Sequence, residues 1–182
     1  MLNNFFEYFS IPPINNENNS SVYDLFIEKS GGKSFGSGIF NSFSKLNIDK
    51  WNTIVAEAYP DFKGKFRLFG YDWLGRCFGV DLGTTNEQVL LFEIGTGDVL
   101  EIPVDMQKFL NEEIPDYAED CLAESFFHEW INTQKTVLKY GQCVGYKVPL
   151  FLGGEDDIPN LELCDMEVYW GILSQLKSKI MK

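Results

Sequence analysis

Phe69-Gly70-Tyr71-Asp72-Trp73-Leu74-Gly75-Arg76-Cys77-Phe78-Gly79-Val80-Asp81 sets two apolar runs on either side of a tight, charged turn. Phe66 to Phe69 and Cys77 to Val80 read as short strands, and Gly70 to Arg76 as the turn that joins them. Gly70 and Gly75 admit backbone angles closed to other residues. Asp72 is placed to bond its own backbone, and Arg76 to pair with Asp72 or Asp81. Tyr71 and Trp73 bring large apolar area with polar tips that require partners. A ligand site built from Asp72, Trp73 and Arg76 is one reading; a buried structural corner is the one these residue types favour.

Outward from this corner, the pattern is α+β. On the C-terminal side, Val89 to Ile94 and Val99 to Val104 form a hairpin signal around Gly95-Thr96-Gly97-Asp98. That Gly-Thr-Gly leads into a strand and lacks a following Lys-Ser/Thr, so it is a turn and not a phosphate loop. Asp105 to Leu110 reads as a helical turn. Pro115 then opens a helix to about Asn132, with Ala118, Leu122, Phe126 and Trp130 as its buried row. Cys143 to Leu152 reads as a strand that joins the 66–104 strands in one mainly antiparallel sheet, ending in Gly153-Gly154-Glu155-Asp156-Asp157. Asp165 caps a last helix, 165–181, with Tyr169, Ile172, Leu173, Leu176 and Ile180 as its stripe and Lys177, Lys179 and Lys182 at its end.

On the N-terminal side, Trp51, Ile54, Val55 and Ala58 make the apolar stripe of a helix over 47–59, capped by Asn47 or Asp49 and stopped by Pro60. Short helices are expected at 2–9, ended by Pro12-Pro13, and at Val22 to Lys29, started by Ser20 or Ser21 and stopped at Gly31-Gly32. Asn15 to Ser21 reads as a polar loop, and Ser34 to Phe43 as extended chain. The expected organisation is a small N-terminal lobe, 1–65, that packs against the sheet of a C-terminal domain, 66–182, or pairs with it, the two making one compact unit.

Sixteen Phe in 182 residues and an aromatic content of 15% imply a core built on rings. The formal charge of −12 makes nucleic acid and anionic membrane poor direct partners and favours a basic protein surface. No apolar run reaches membrane-spanning length and the N-terminus lacks a signal-peptide pattern, so a cytoplasmic protein is expected. Cys77, Cys121, Cys143 and Cys164 form no Cys-x-x-Cys and read as reduced core residues. His128 is the one histidine; its neighbour Glu129 faces elsewhere on a helix, and position 132 is Asn where a zinc-protease helix needs His. No cofactor or metal is expected. A hydrolase built on two carboxylates would need one of them raised by burial in a cleft.

The acids are the conspicuous charge feature. Glu112, Glu113, Asp116, Glu119, Asp120, Glu124 and Glu129 fall in a stretch with no Lys or Arg between Lys108 and Lys135. This suits a solvated helix face with acids near its N-terminus, and it equally suits a docking surface for a cationic partner. Glu155, Asp156 and Asp157 lack the spacing of a calcium loop and read as an exposed turn.

With these pieces placed, the chain resembles a bacterial family of type VI secretion immunity proteins, which pair a GAD-like N-terminal region with a C-terminal domain first catalogued as of unknown function. The resemblance lies in Phe-Gly-Tyr-Asp-Trp-Leu-Gly-Arg (69–76), Leu-Phe-Glu-Ile-Gly-Thr-Gly-Asp-Val-Leu-Glu-Ile-Pro (91–103), Cys-Val-Gly-Tyr-Lys-Val-Pro-Leu-Phe-Leu-Gly-Gly (143–154) and Asn-Leu-Glu-Leu-Cys-Asp-Met-Glu-Val-Tyr-Trp-Gly (160–171). Gly32 to Trp51 is similar to the GAD-like part, with Ile39-Phe40-Asn41 where the family tends to carry a Leu-Tyr-Arg-like run. The resemblance implies a non-enzymatic antidote to a cognate toxin, in the best-known cases a DNase. Its fit with the charge singles out Glu112, Glu113, Asp116, Glu119 and Asp120 as one contact patch and Glu155, Asp156 and Asp157 as a second. Tyr71 and Trp73 are anchors on the condition that their rings are exposed. An intracellular adaptor without a toxin partner is the alternative.

Overall fold

The β-rich runs around the corner pair as expected and gather neighbours on both sides. In the computed structural model, which describes residues 2–12 and 20–180, β3 (Phe66–Asp72) and β4 (Cys77–Asp81) form an antiparallel hairpin. β5 (Gln88–Glu93) and β6 (Asp98–Asp105) continue it on one side, and β1 (Ser34–Phe35) and β2 (Phe40–Ser42) extend it on the other. The result is a six-stranded antiparallel meander in the order β1-β2-β3-β4-β5-β6. Short connections between sequential neighbours favour this arrangement. The register of β3 slips between Leu68 and Gly70. Gly70 is required there, because a Cβ would lie 2.5 Å from the Phe40 ring and 2.9 Å from the Asn41 carbonyl oxygen of β2.

Two groups of rings hold the helices to the sheet. Phe5 of α1 (Asn3–Tyr8) lies 5.6 Å from Phe26 of α2 (Val22–Ser30), 5.1 Å from Phe35 and 5.8 Å from Phe40. Phe40 lies 5.8 Å from Phe78, which lies 5.1 Å from Phe109. The second group links Trp51 of α3 (Ile48–Ala58) to Phe43 at 5.5 Å and, edge on, to Trp170 at 6.4 Å. Such pairs add about 0.5–1.5 kcal/mol each beyond the area they bury. The N-terminal residues therefore join the main sheet through β2 and share one contiguous hydrophobic cluster with residues as distant as Leu173.

Local signals decided several helix ends. The Ser21 hydroxyl accepts from Asp24 N–H and starts α2. Asp165 accepts from Val168 N–H at 3.0 Å and starts α8 (Met166–Ile180). α3 begins after Asn47, but neither Asn47 nor Asp49 caps it: the Asn47 Oδ1 accepts instead from the Ser44 N–H and hydroxyl. α1 ends at Tyr8, ahead of Pro12; Pro13 and the 15–19 part of the expected Asn-rich loop lie outside the described residues, as does Lys182.

Three expectations need correction. The 143–152 run does not join the large sheet: β7 (Gln142–Tyr146) pairs with β8 (Leu161–Asp165) as a separate two-stranded ribbon, and Leu150–Leu152 turn into a 3-10 helix. Second, the expected 115–132 helix is broken. α4 (Met106–Lys108) widens into a π turn over Phe109–Glu113, followed by α5 (Ile114–Asp116), α6 (Ala118–Leu122) and α7 (Glu124–Gln134). Third, in α8 the buried residues are Met166, Tyr169, Trp170 and Leu173, whereas Ile172 and Ile180 are exposed.

Candidate functional site

The corner ties the whole chain together. The Asp72 Oδ1 accepts from Leu74 N–H at 3.1 Å and Arg76 N–H at 3.0 Å, and its other oxygen accepts from Arg76 Nε. Gly75, at φ +75°, closes the turn. Both side chains of the ion pair are withdrawn from solvent, 0% exposed for Asp72 and 12% for Arg76. Burial raises the Asp72 pKa, against the opposing pull of Arg76 and the donated hydrogen bonds. Burial disfavours the Arg76 charge, but Asp72, Glu93 and Tyr146 together outweigh it, so its pKa rises.

From this turn, hydrogen bonds run to four other parts of the fold. Trp73 N–H donates to Ile39 O at 3.0 Å, Val144 N–H donates to Trp73 O at 2.6 Å, and Trp170 Nε1 donates to Gly75 O at 2.8 Å. Trp73 Nε1 donates to Leu122 O at 2.8 Å, and Arg76 Nη2 to Cys121 O at 3.1 Å. These last two satisfy carbonyls at the end of α6 and account for the break that follows it. With Ala123 in the left-handed region (φ 52°), the chain turns away after Leu122 and restarts as α7. Trp73 is 0% and Tyr71 1% exposed, so the exposure condition on these two rings fails. They are core residues, and the corner reading prevails over a partner or ligand site.

The first set of acidic residues sits on the π turn, α5 and α6, ahead of this break. Glu112, Asp116, Glu119 and Asp120 are exposed and Glu113 half-buried. The Glu119 carboxylate bridges the break, accepting from Ser125 N–H at 2.9 Å, and the Ser125 side chain and backbone hold its pKa below the ordinary range. Glu113 and Asp120 both act on the thiol of Cys121; with burial as the larger cause, they push it to about 11. Glu155, Asp156 and Asp157 are exposed on the loop between β7 and β8. Tyr146 OH donates to Asp156 at 2.7 Å, and Asp157 accepts from Asn160 N–H at 3.1 Å. The charges that act on Cys121 come from the first patch, whereas Asp156 acts on Glu93 and Tyr146. The two patches have separate surroundings.

Two features escaped the sequence reading. Glu93 has its pKa raised, by burial first, with Asp72, Asp156 and Asp98 adding to the effect and Arg76 opposing it. Position in a hairpin strand gave no signal for this, since its burial comes from the corner packed beside it. Glu124 accepts from Tyr8 OH at 2.6 Å and lies 3.9 Å from His128 Nε2. The i, i+4 spacing of Glu124 and His128 is legible in the sequence; the Tyr8 contact, across 116 residues, is not. Among the described residues no group of three or more His, Cys, Asp or Glu is placed to hold a metal ion, and no helix is long and apolar enough to cross a membrane.

The fold defines an α+β protein in which a mainly antiparallel meander carries helices and a short ribbon. It is similar to a protein of solved structure, described as the crystal structure of Atu4351 from Agrobacterium tumefaciens, with a TM-score of 0.66 at 20% identity, over 96% of this chain and 89% of that one. At that identity the likeness concerns the fold alone. No curated protein matches. Residues 105–177 match the family described as T6SS immunity protein Tdi1, C-terminal. The matched stretch runs from the end of β6 to the last turns of α8 and contains both acidic patches.

Proposed function

We propose that this protein is a non-catalytic, cytoplasmic antidote that binds a cognate toxin with DNase activity and covers its active site with acidic surface. The observation that carries the reading is the coincidence of the family match over 105–177 with a stretch from Phe109 to Gln134 that holds no Lys or Arg and whose acids are mostly exposed. A DNase must hold phosphates with Lys and Arg, so an anionic inhibitor complements the same groove and is steered to it. Glu112, Glu113, Asp116, Glu119 and Asp120 form the main contact patch, and Glu155, Asp156 and Asp157 a second one. Residues 1–65 form the GAD-like region and 66–182 the immunity domain, two sequence regions of one compact unit; the sheet and core shared across residue 65 support the single unit.

The triple variant Glu112→Lys, Glu113→Lys, Asp116→Lys is expected to slow association with the toxin encoded beside this gene and to flatten its salt dependence. Stopped-flow or surface-based kinetics across a salt series measure both. Unchanged kinetics remove this patch from the interface. Failure of the unmodified protein to protect cells co-expressing that toxin removes the antidote reading itself.

A further inference from the structure

A second polar feature lies away from both acidic patches, in a cavity of about 460 Å³ between the start of α2, the β3–β4 hairpin and the end of β6. Arg67 stands on its wall. The guanidinium carbon sits 4.0 Å from the centroid of the Tyr23 ring, and Tyr23 OH is fixed in turn by a 2.8 Å hydrogen bond to Leu68 O. Arg67 Nε is buried without a hydrogen-bond partner, and Arg67 makes no ion pair among the described residues. A half-buried arginine held by stacking and left unpaired is unusual, because its desolvation goes uncompensated. In a chain of net charge −12, carboxylates are not scarce. Two of them, Glu87 and Asp105, line the same cavity yet form no ion pair with Arg67.

The wall is therefore bipolar, carrying one cation and two carboxylates that do not pair with it. A simple anion would gain at Arg67 and lose at the acids; a simple cation would meet the reverse. A small molecule bearing both charges would satisfy both. We propose that this cavity binds a zwitterionic ligand of the free amino-acid class, its carboxylate taken by the Arg67 fork and its ammonium group facing Glu87 and Asp105, with Gln107 as a further hydrogen-bonding wall residue. The site touches the family-matched region only at Asp105 to Gln107 and stands independently of the toxin-binding reading.

The test is a titration followed by amide and arginine Nε NMR signals, with the free proteinogenic amino acids, acetate and methylammonium as probes. At least one amino acid is expected to give a saturable shift at Tyr23, Arg67 and Glu87, tighter than acetate or methylammonium by about tenfold, the worth of one added charge-assisted contact. Arg67→Met should abolish the shift. Glu87→Gln, at an exposed loop position whose loss leaves the fold intact, should weaken amino-acid binding and leave acetate unchanged. No saturable response to any amino acid at millimolar concentration overturns the proposal, as does binding by both variants equal to the wild type, or acetate binding as tightly as the best amino acid.

Discussion

Asp72 and Arg76 form a buried ion pair that fixes the turn and reaches the end of α6. Their partners belong to the turn itself and to the end of α6, so removing one leaves a buried charge and orphaned backbone groups together. Asp72→Ala is expected to destabilise the protein by about 3–5 kcal/mol, measured by urea denaturation. Arg76→Lys, which keeps a charge but loses the fork to Asp72 and Cys121 O, should fall between that and the wild type. A second residue bears on pH dependence. Lys177 Nζ sits 3.3 Å above the Tyr59 ring and donates to Ala58 O, and burial lowers its pKa from 10.5 to about 8. Between those two values the unfolded chain keeps a proton that the folded chain has released, so this residue's contribution to stability rises with pH. Lys177→Met should remove that rise, and the difference between the two stability curves from pH 8 to pH 10.5 checks it.

At the scale of elements, the instructive case is the segment that reads as one helix from Pro115 and folds as three pieces. Its apolar row is correct at Ala118, Leu122 and Trp130, which are buried, while Phe127 is buried in place of the half-buried Phe126. Periodicity of this kind reports which side faces the core and is blind to a one-residue break. The break at Ala123 comes from donors 45 and 49 residues away, Arg76 and Trp73, which take the carbonyls of Cys121 and Leu122. Alanine at a positive φ is strained by about 1–2 kcal/mol, against a loss of about 0.5–1 kcal/mol for the greater freedom of glycine in the unfolded chain. Ala123→Gly is therefore expected to be neutral or to stabilise by up to about 1 kcal/mol in thermal or urea unfolding, whereas the same change inside a regular helix costs about 1 kcal/mol. A marked loss of stability would show that the left-handed conformation at 123 is not the one populated.

Over the whole molecule, the sheet order and the ring contacts make the two sequence regions interdependent. Phe5, Phe26 and Phe35 cover Phe40 and, through it and Phe69, the central strands. A fragment starting at residue 66 would expose Phe69 and Phe78, both 0% exposed in the intact chain, along with the open edge of β3. It is expected to aggregate or to bind hydrophobic dye, and the full chain to unfold in a single transition; a soluble, folded 66–182 fragment would contradict this. The corner's residue types, the hairpins, the helix over 48–58 and the caps at Ser21 and Asp165 were legible in the linear pattern, because each depends on neighbours a few residues apart. So was the acidity that motivates the docking patches, since charge is a property of composition. What only the tertiary structure decided was everything that needs partners distant in sequence: β7 pairing with β8 and not with the large sheet, the burial of Tyr71 and Trp73, the broken helix, and the unpaired Arg67 above Tyr23. Local preferences are too weak to settle such choices; they are made where side chains from separate segments compete for the same buried space and the same hydrogen-bonding groups.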